Sequence, residues 1–486
     1  MAETVPAACL KRGRAKPLHS GHPWVFADAI ARIEGIEPQP GDEVRVVDDR
    51  GACVGRGFYS PQSAIAVRIL TRADTPITDA FLSTRIDEAL RLRTAVLGLG
   101  APSCGTALQA ADTGKMPVPL TAAERARLAE IEAQLTKIQS FAARFGLDAL
   151  EETAELRKQR DVLLKGRTVP AGAAGVPTAA ETAALPATTA YRLVNSEGDG
   201  LGGLIVDVYG DYLAVQTGTA GMERRQDAIL NALEERLHPK GIVDRGDARA
   251  RQLEKLGPPR SGPLRGRPPE APFPVSEYGL EMLCDLRPGH GQKTGLFLDQ
   301  RENRRRFAGF AAGRNVLDVF SYSGGFALHA ARAGAKSIAL VDSSAEALEL
   351  ARLNLERNGI ADADLVQAEW TEGFKHLREA GRLFELIVLD PPKFARAREN
   401  VAAALSAYRD LNAQAARLLA PGGVLFTCSC SGSVTESDFE RAVAAGMCKA
   451  ERRAALLLAA GAAPDHPVPP GFEQGRYLKC LVLQVV

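Results

Sequence analysis

From about residue 287 onward, strand-like and helix-like runs alternate. Residues 315–320, 337–341, 364–368, 385–389, 423–428 and 478–485 read as strands, and 325–333, 345–358 and 401–419 as helices. The strand runs are apolar almost throughout, so both of their faces must be buried. Strands separated by whole helices cannot form hairpins. Together these features predict an α/β fold with a parallel sheet covered on both faces. In such sheets ligands bind outside the carboxyl ends of the strands.

The chain has 486 residues, room for about three domains at roughly 150 residues each. Residues 1–75 read as a small β-barrel, with β-branched runs at 43–47, 53–58 and 64–70 separated by turn residues. A helix over 78–97 opens a central α+β domain that resumes at 191–286, with strands at 204–208 and 212–216 and a helix at 224–237. Between them, 100–190 reads as an insertion. Leu128, Ile131, Leu135, Ile138, Ala142 and Phe145 form a heptad seam, as expected of a helical hairpin with flexible flanks. Arg245, Arg249, Arg251, Lys255, Arg260, Arg265 and Arg267 make the stretch after 237 basic. It reads as a mobile charged loop or a solvated face.

No run approaches 18 apolar residues, and residues 1–10 lack a basic-then-apolar leader. The eight cysteines are irregularly spaced, without disulfide-framework or metal-ligand patterns. A reduced, cytoplasmic chain without a metal is expected. Lys and Arg number 60 against 59 Asp and Glu, so overall charge says nothing about nucleic acid, and only local charge can.

Three acids end strands of the sheet. Asp318 lies in Val-Leu-Asp-Val-Phe-Ser-Tyr-Ser-Gly-Gly-Phe, Asp342 ends Ile-Ala-Leu-Val-Asp, and Asp390 opens Asp-Pro-Pro-Lys. Glu369 is a fourth candidate. Gly324 lets the backbone approach a ligand. There is no G-x-G-x-x-G, and Asp318 would oppose a pyrophosphate. A carboxylate cluster suits a phosphate-free, positively charged cofactor, and S-adenosylmethionine with its sulfonium is such a molecule.

With these motifs assembled, the sequence resembles the class I (Rossmann-like) methyltransferases. In particular it is similar to the bacterial 23S ribosomal RNA cytosine-5 methyltransferases with an N-terminal PUA domain. Lys11-Arg12-Gly13 and Gly21-His22-Pro23-Trp24-Val25-Phe26 match the family's opening, and 197–204 its central signature, with Gly202 where Pro is usual. Residues 293–301, 390–394 and 429–431, with His466-Pro467 and Tyr477-Leu478-Lys479, match the rest. The resemblance covers about 395 residues, leaving out the insertion. It implies a sheet with a reversed final strand. It also implies S-adenosylmethionine held by Lys293, Thr294, Gln300, Asp318, Gly324, Asp342, Glu369 and Asp390. Glu369 stands where the family more often has Asp.

Cytosine C5 is too weak a nucleophile to take a methyl group unaided. A thiolate adding to C6 activates it. Cys428 and Cys430 lie at one strand end. Residues 425–431 resemble the wider class's Leu-Val-Tyr-Ser-Thr-Cys-Ser pattern, which places Cys430 as the nucleophile and Cys428 as the alternative. Asp390 is the candidate to bind the cytosine edge. Lys393 stands where many such enzymes have a second cysteine.

Lys11, Arg12, Arg14 and Lys16 precede His22 and Trp24. This basic-aromatic mixture suits RNA phosphate contact and base stacking, though Trp24 also reads as barrel core. Arg301, Arg304, Arg305 and Arg306 either extend an RNA channel or face water. The expected activity is cytosine-5 methylation of large-subunit ribosomal RNA, by a chain that acts without a membrane and as a monomer or homodimer. The rivals are base-nitrogen (guanine) methylation on the same fold and an inactive RNA-binding factor.

Overall fold

The structure is a computed structural model, which describes residues 5–99, 188–260, 262–287, 295–394 and 400–486, with 118–119 and 167–168. The helical hairpin read over 100–190, and Lys293 and Thr294, lie outside the described residues. Within 103–183, a separate unit, the described feature is a parallel pairing of Val118–Pro119 with Arg167–Thr168.

The amino-terminal part is a six-stranded sheet built from β1 (Ala7–Leu10), β2 (Trp24–Phe26), β3 (Ile30–Glu34), β4 (Glu43–Val47), β5 (Cys53–Tyr59) and β6 (Ile65–Thr71). Its order is β2-β6-β5-β4-β1-β3. Alternate apolar residues, Val44 and Val46 on β4 and Val67 and Ile69 on β6, fill its core with Leu10, Leu18 and Val25. Helix α1 (Asp79–Leu97) follows, capped where the Thr78 hydroxyl accepts the Phe81 N–H.

The central sheet has β7 (Ala190–Asn195), β8 (Leu204–Tyr209), β9 (Tyr212–Thr217), β10 (Gly241–Asp244) and β11 (Pro263–Gly266), in the order β11-β10-β9-β8-β7. Leu82 and Ile86 of α1 pack with Ile229 and Leu233 of α2 (Gln226–Leu237) over this sheet. The basic stretch after α2 is not a plain loop. It contains α3 (Ala248–Leu253) and β11. Arg251 is buried in a two-armed pairing with Glu223, and Arg265 pairs with Asp227. Acids upstream in sequence neutralise these positions, which a local charge run cannot reveal.

A hairpin, β12 (Phe273–Glu277) and β13 (Leu280–Cys284), leads through α4 (Arg301–Ala308) into the seven-stranded sheet. The sheet elements are β14 (Asn315–Val319), α5 (Gly325–Arg332), β15 (Ser337–Asp342), α6 (Ala345–Arg357), β16 (Asp364–Gln367), α7 (Trp370–Glu379) and β17 (Phe384–Leu389). Then come α8 (Val401–Leu418), β18 (Leu419–Ser429), α9 (Glu436–Lys449), β19 (Ala454–Ala460) and β20 (Lys479–Val485). The order is β16-β15-β14-β17-β18-β20-β19. β14 to β18 are parallel, and β20 runs antiparallel to both β18 and β19. On β14, Val316 faces one apolar layer while Leu317 and Val319 face the other, which explains the unbroken apolar run.

The expectation for α4 needs correcting. Arg301 and Arg304 are buried, not channel-lining. Arg304 grips Glu277 of the hairpin through two bonds of 2.7 and 2.6 Å, and His329 of α5 lies 2.9 Å from the same carboxylate. Arg301 pairs with Asp465 at 2.8 Å. Of the four arginines, Arg305 and Arg306 are exposed.

Between β19 and β20 the chain makes an excursion, 461–478, that ties the parts together. The Asp465 carbonyl accepts from Arg93 of α1. The Pro467 carbonyl accepts from Asn195, and Phe472 packs against Trp24 with ring centroids 4.7 Å apart. No helix among the described residues is long and apolar enough to cross a membrane.

Candidate active site

The carboxyl ends of β14, β15 and β17 lie side by side, at the point where the strand order reverses and a parallel sheet of this kind forms its ligand crevice. Asp318 is buried on β14. Its Oδ2 accepts the Ala327 N–H of α5 at 3.0 Å, while Oδ1 has no hydrogen-bond partner. Burial, then the neighbouring Asp390 and Asp342 charges, pushes its carboxyl up to about 7. A buried carboxylate oxygen without a partner is costly unless a ligand donates to it.

Asp342 ends β15. Its Oδ2 accepts the Tyr322 N–H and its Oδ1 the Ser344 N–H, at 2.9 and 3.0 Å. The acid thereby folds the loop after β14, in which Phe320 and Tyr322 hold positive φ of 64° and 46°. Such strain outside glycine persists where the surroundings over-determine it. Gly324, at φ 72°, starts α5. A Cβ there would lie 3.0 Å from Ala351 Cβ, so the glycine is required by conformation and by space.

Gln300 reaches in from the segment before α4. Its Nε2 donates to Asp390 Oδ1 at 2.8 Å, and its Oε1 accepts from Asn303 Nδ2 at 2.6 Å. Glu369, the amino-terminal cap of α7, is exposed, and its side chain makes no capping bond. It stands beside Asp342, whose carbonyl accepts the Ala368 N–H. The structure therefore brings Gln300, Asp318, Gly324, Asp342 and Asp390 to one crevice, with Glu369 at its rim. An orphaned acid, a crowded glycine and a carboxylate-dominated donor set fit a cationic, phosphate-free ligand.

The two cysteines part company. Cys428 lies within β18, opposite Cys480 of β20, and is wholly buried. The Cys480 contact and burial raise its thiol well above the ordinary range. It is a core residue. Cys430 lies past the last residue of β18, where strand alternation has ended, and is half-buried. Its Sγ is 3.9 Å from the Pro391 carbonyl oxygen. Sequence spacing put both thiols at one strand end, but the strand stops between them.

Beside this crevice is a cleft of about 610 Å³ lined by Arg192, Arg245, Asp299, Lys393, His466 and Tyr477, among others. Tyr477 donates to Asp299 at 2.7 Å, and burial, followed by the Asp299 charge, raises its phenol well above the usual range. Behind His466, Asp465 is fully buried and holds the imidazole Nδ1 at 3.0 Å. Burial works against the Asp465 charge, but His466 and Arg301 outweigh it and keep the carboxyl ionised. Sequence reasoning missed Arg192, Asp299 and Asp465. The only signal was that Asp299 is the Asp of the Leu-Phe-Leu-Asp-Gln-Arg motif and that Asp465 directly precedes His466-Pro467.

In the amino-terminal sheet, Lys11, Arg12, Arg14 and Lys16 are exposed after β1. Lys11 donates to the Asp28 carbonyl, and Arg14 pairs with Asp28 at 3.3 Å. Trp24 and His22 are not presented as free stacking faces. Trp24 Nε1 donates to Glu197 at 2.8 Å, and both rings pack on Phe472.

Comparison with known proteins agrees with this geometry. Residues 9–72 match the family described as PUA-like domain. Residues 258–449 match S-adenosylmethionine-dependent methyltransferase. The chain is 32% identical to "Ribosomal RNA large subunit methyltransferase I" of Photobacterium profundum, over 97% of each chain. It is 33% identical to the protein of that name from Aeromonas salmonicida, over 98% of each. A methyltransferase solved in complex with SAH superposes with a TM-score of 0.69 at 20% identity, covering 98% of this chain and 99% of that one. A protein from Streptococcus mutans described as a SAM-dependent methyltransferase gives 0.67 at 18%, with the same coverage. With a PUA-like domain at one end and a methyltransferase sheet at the other, matched to such relatives along nearly its whole length, the chain belongs to the ribosomal RNA large subunit methyltransferase I family of S-adenosylmethionine-dependent enzymes.

Proposed function

We propose that the chain forms 5-methylcytosine in 23S ribosomal RNA, with Cys430 as the covalent nucleophile. The observation that carries this reading is the placement of Cys430. Its half-buried thiol sits just beyond β18, 3.9 Å from the Pro391 carbonyl next to Asp390, while Cys428 is sealed in the core.

Asp318, Asp342, Gln300, Asp390 and the Gly324 turn would hold S-adenosylmethionine, with Lys293, Thr294 and Glu369 completing the set. Bound there, it supplies an electrophilic methyl group. The Cys430 thiolate adds to cytosine C6, and the C5–C6 electron pair becomes available at C5. Asp390 accepts from the cytosine edge. After transfer, the C5 proton leaves to a base, the C6–S bond breaks, and its electrons return to the sulphur. The cleft beside Lys393 is where we place the target nucleotide, which must be unstacked to reach the thiol.

We read 1–75 as the RNA-binding PUA-like domain and 76–99 with 191–286 as the central domain. The 100–190 segment is its insertion, and 287–486 the catalytic domain. Lys11, Arg12, Arg14 and Lys16 contact RNA phosphates, with His22 and Trp24 shaping the surface behind them. The cytoplasm is the compartment that holds this substrate. A homodimer is a further expectation. Leu456, Leu457 and Leu458 on the edge strand β19 are 46%, 47% and 41% exposed, and sedimentation velocity checks whether they pair two copies.

Mass spectrometry of nucleosides from ribosomal RNA treated with the enzyme tests the reading. 5-Methylcytosine that disappears with Cys430→Ala, while cofactor binding persists, is expected. A methylguanosine product, or full activity in that variant, overturns it. No methyl transfer to any RNA would leave an RNA-binding factor.

A further inference from the structure

Lys479 is a buried lysine placed against the turn that carries Cys430. It opens β20, and its Cα pairs with Ser429 across the antiparallel ladder. From there its Nζ donates to the Ser431 carbonyl at 2.7 Å and to the Val434 carbonyl at 2.9 Å. These carbonyls bracket the turn that follows the thiol, and a Val434 N–H to Ser431 bond of 3.1 Å closes it. A lysine is rarely buried without an anion at hand. Here the ammonium spends two of its three donors on main-chain oxygens beside Cys430.

We propose that Lys479 is a positioning residue for the nucleophile: its ammonium holds the 431–434 turn and supplies the positive charge that favours the Cys430 thiolate. This rests on Cys430 being the nucleophile. The thiol proton passes to solvent water, and the ammonium keeps its own protons. The charge left on sulphur is then balanced from within the fold.

Several elements bring charge to this turn. Lys393, after β17, repels the ammonium, while Cys430 and Glu436, at the start of α9, favour it. Burial outweighs them and brings Lys479 down to about 8, so it remains largely charged at pH 7. Asp390 and Tyr408 of α8 also face the site. The Tyr408 phenol is raised by burial first and also by the Cys430 and Asp390 charges. Asp390 opposes a thiolate, and Lys479 offsets it. A lysine that served packing alone would fix the turn but leave the thiol's acidity unchanged.

The test is alkylation of the full-length protein by iodoacetamide across pH 5–10, with the rate at Cys430 read by peptide mass spectrometry and exposed Cys448 as internal control. Lys479→Gln keeps hydrogen-bond donors without charge, Lys479→Met removes both, and Lys479→Arg keeps the charge. The Gln and Met variants are expected to raise the apparent Cys430 pKa by about one unit or more. Their methyl transfer at pH 7 should fall about tenfold or more and recover partly at pH 9. Arg should stay near wild type, with Cys448 unchanged throughout. Should Met not fold, as judged by binding of S-adenosylhomocysteine, Gln against Arg decides. Superimposable Cys430 profiles in wild type and Gln overturn the inference. If Cys430→Ser is dead while those profiles coincide, only the role of Lys479 falls. If Cys430→Ser stays active, the nucleophile assignment itself falls.

Discussion

The Gln300 amide donates to Asp390 across the mouth of the crevice, at 2.8 Å, from a residue 90 positions earlier in the chain. Asn303 fixes the amide's orientation by donating to its oxygen. One Asp390 oxygen is thus held by a neutral donor that aims the carboxylate. Gln300→Ala is expected to lower kcat/KM about tenfold to a hundredfold, mostly through lost orientation. Gln300→Glu should be worse, because it sets two carboxylates together. Steady-state methyl transfer with both variants checks this.

With Asp318 in the proposed cofactor site, binding is expected to depend on pH. Its folded-state carboxyl lies at about 7 against an ordinary 3.8, so the native state holds the proton more tightly than the unfolded chain does. The resulting destabilisation is absent below about pH 4, grows between 4 and 7, and is complete above 7. Asp318→Asn should therefore stabilise the ligand-free protein by about 2–4 kcal/mol at pH 8 and hardly at all at pH 4. It should also weaken S-adenosylmethionine binding. In the wild type, a cationic ligand favours the ionised acid, so affinity rises through pH 7 and protons are released. Calorimetry in buffers of different ionisation enthalpy reads that release.

Glu277 anchors the hairpin to the catalytic sheet. Burial opposes its charge, but Arg304 and then His329 hold its carboxyl far below the ordinary value. Glu277→Ala leaves Arg304 buried without this counter-ion and should cost about 3–5 kcal/mol. The wild-type contribution is fully present above the unfolded carboxyl value and is lost as pH falls below it. The gap in thermal midpoint between variant and wild type should narrow in acid, as differential scanning calorimetry will show.

Replacing Lys11, Arg12, Arg14 and Lys16 together by alanines should weaken RNA binding and flatten its dependence on salt, by about 0.7–0.9 in slope for each phosphate no longer neutralised. Trp24→Phe acts differently. It breaks the bond to Glu197, so its first effect should be on stability, by about 1–2 kcal/mol, with the salt slope kept. Filter binding over a salt series, paired with denaturant melts, separates the two.

Much of the catalytic sheet was legible because its strands are apolar on both faces and its acids fall at or near the carboxyl ends of those runs. Asp318, Asp342 and Asp390 needed no more than that. The strand β19 was not, since Ala-Ala-Leu-Leu-Leu-Ala-Ala carries no alternation and its side chains are largely exposed. Arg251, Arg301 and Arg304 looked like solvated charge because their partners, Glu223, Asp465 and Glu277, are 27 to 164 residues away. Pairings of that kind leave no periodic trace. Trp24 among basic residues had the composition of an RNA surface, but its indole is spent on Glu197 and Phe472. The cysteines turned on where β18 ends, and a one-residue boundary exceeds what propensity resolves.

The excursion 461–478 has a consequence for how the enzyme comes into being. It touches α1, the central sheet, Trp24 and Arg301 at once, and Lys479 follows directly. A growing polypeptide that has emerged only as far as residue 460 holds every strand-end acid and both cysteines, yet none of these ties. Newly made copies would therefore stay idle toward RNA until 461–478 is threaded into place. Acquisition of activity would then track the docking of this one segment rather than the closure of the sheet that carries the acids.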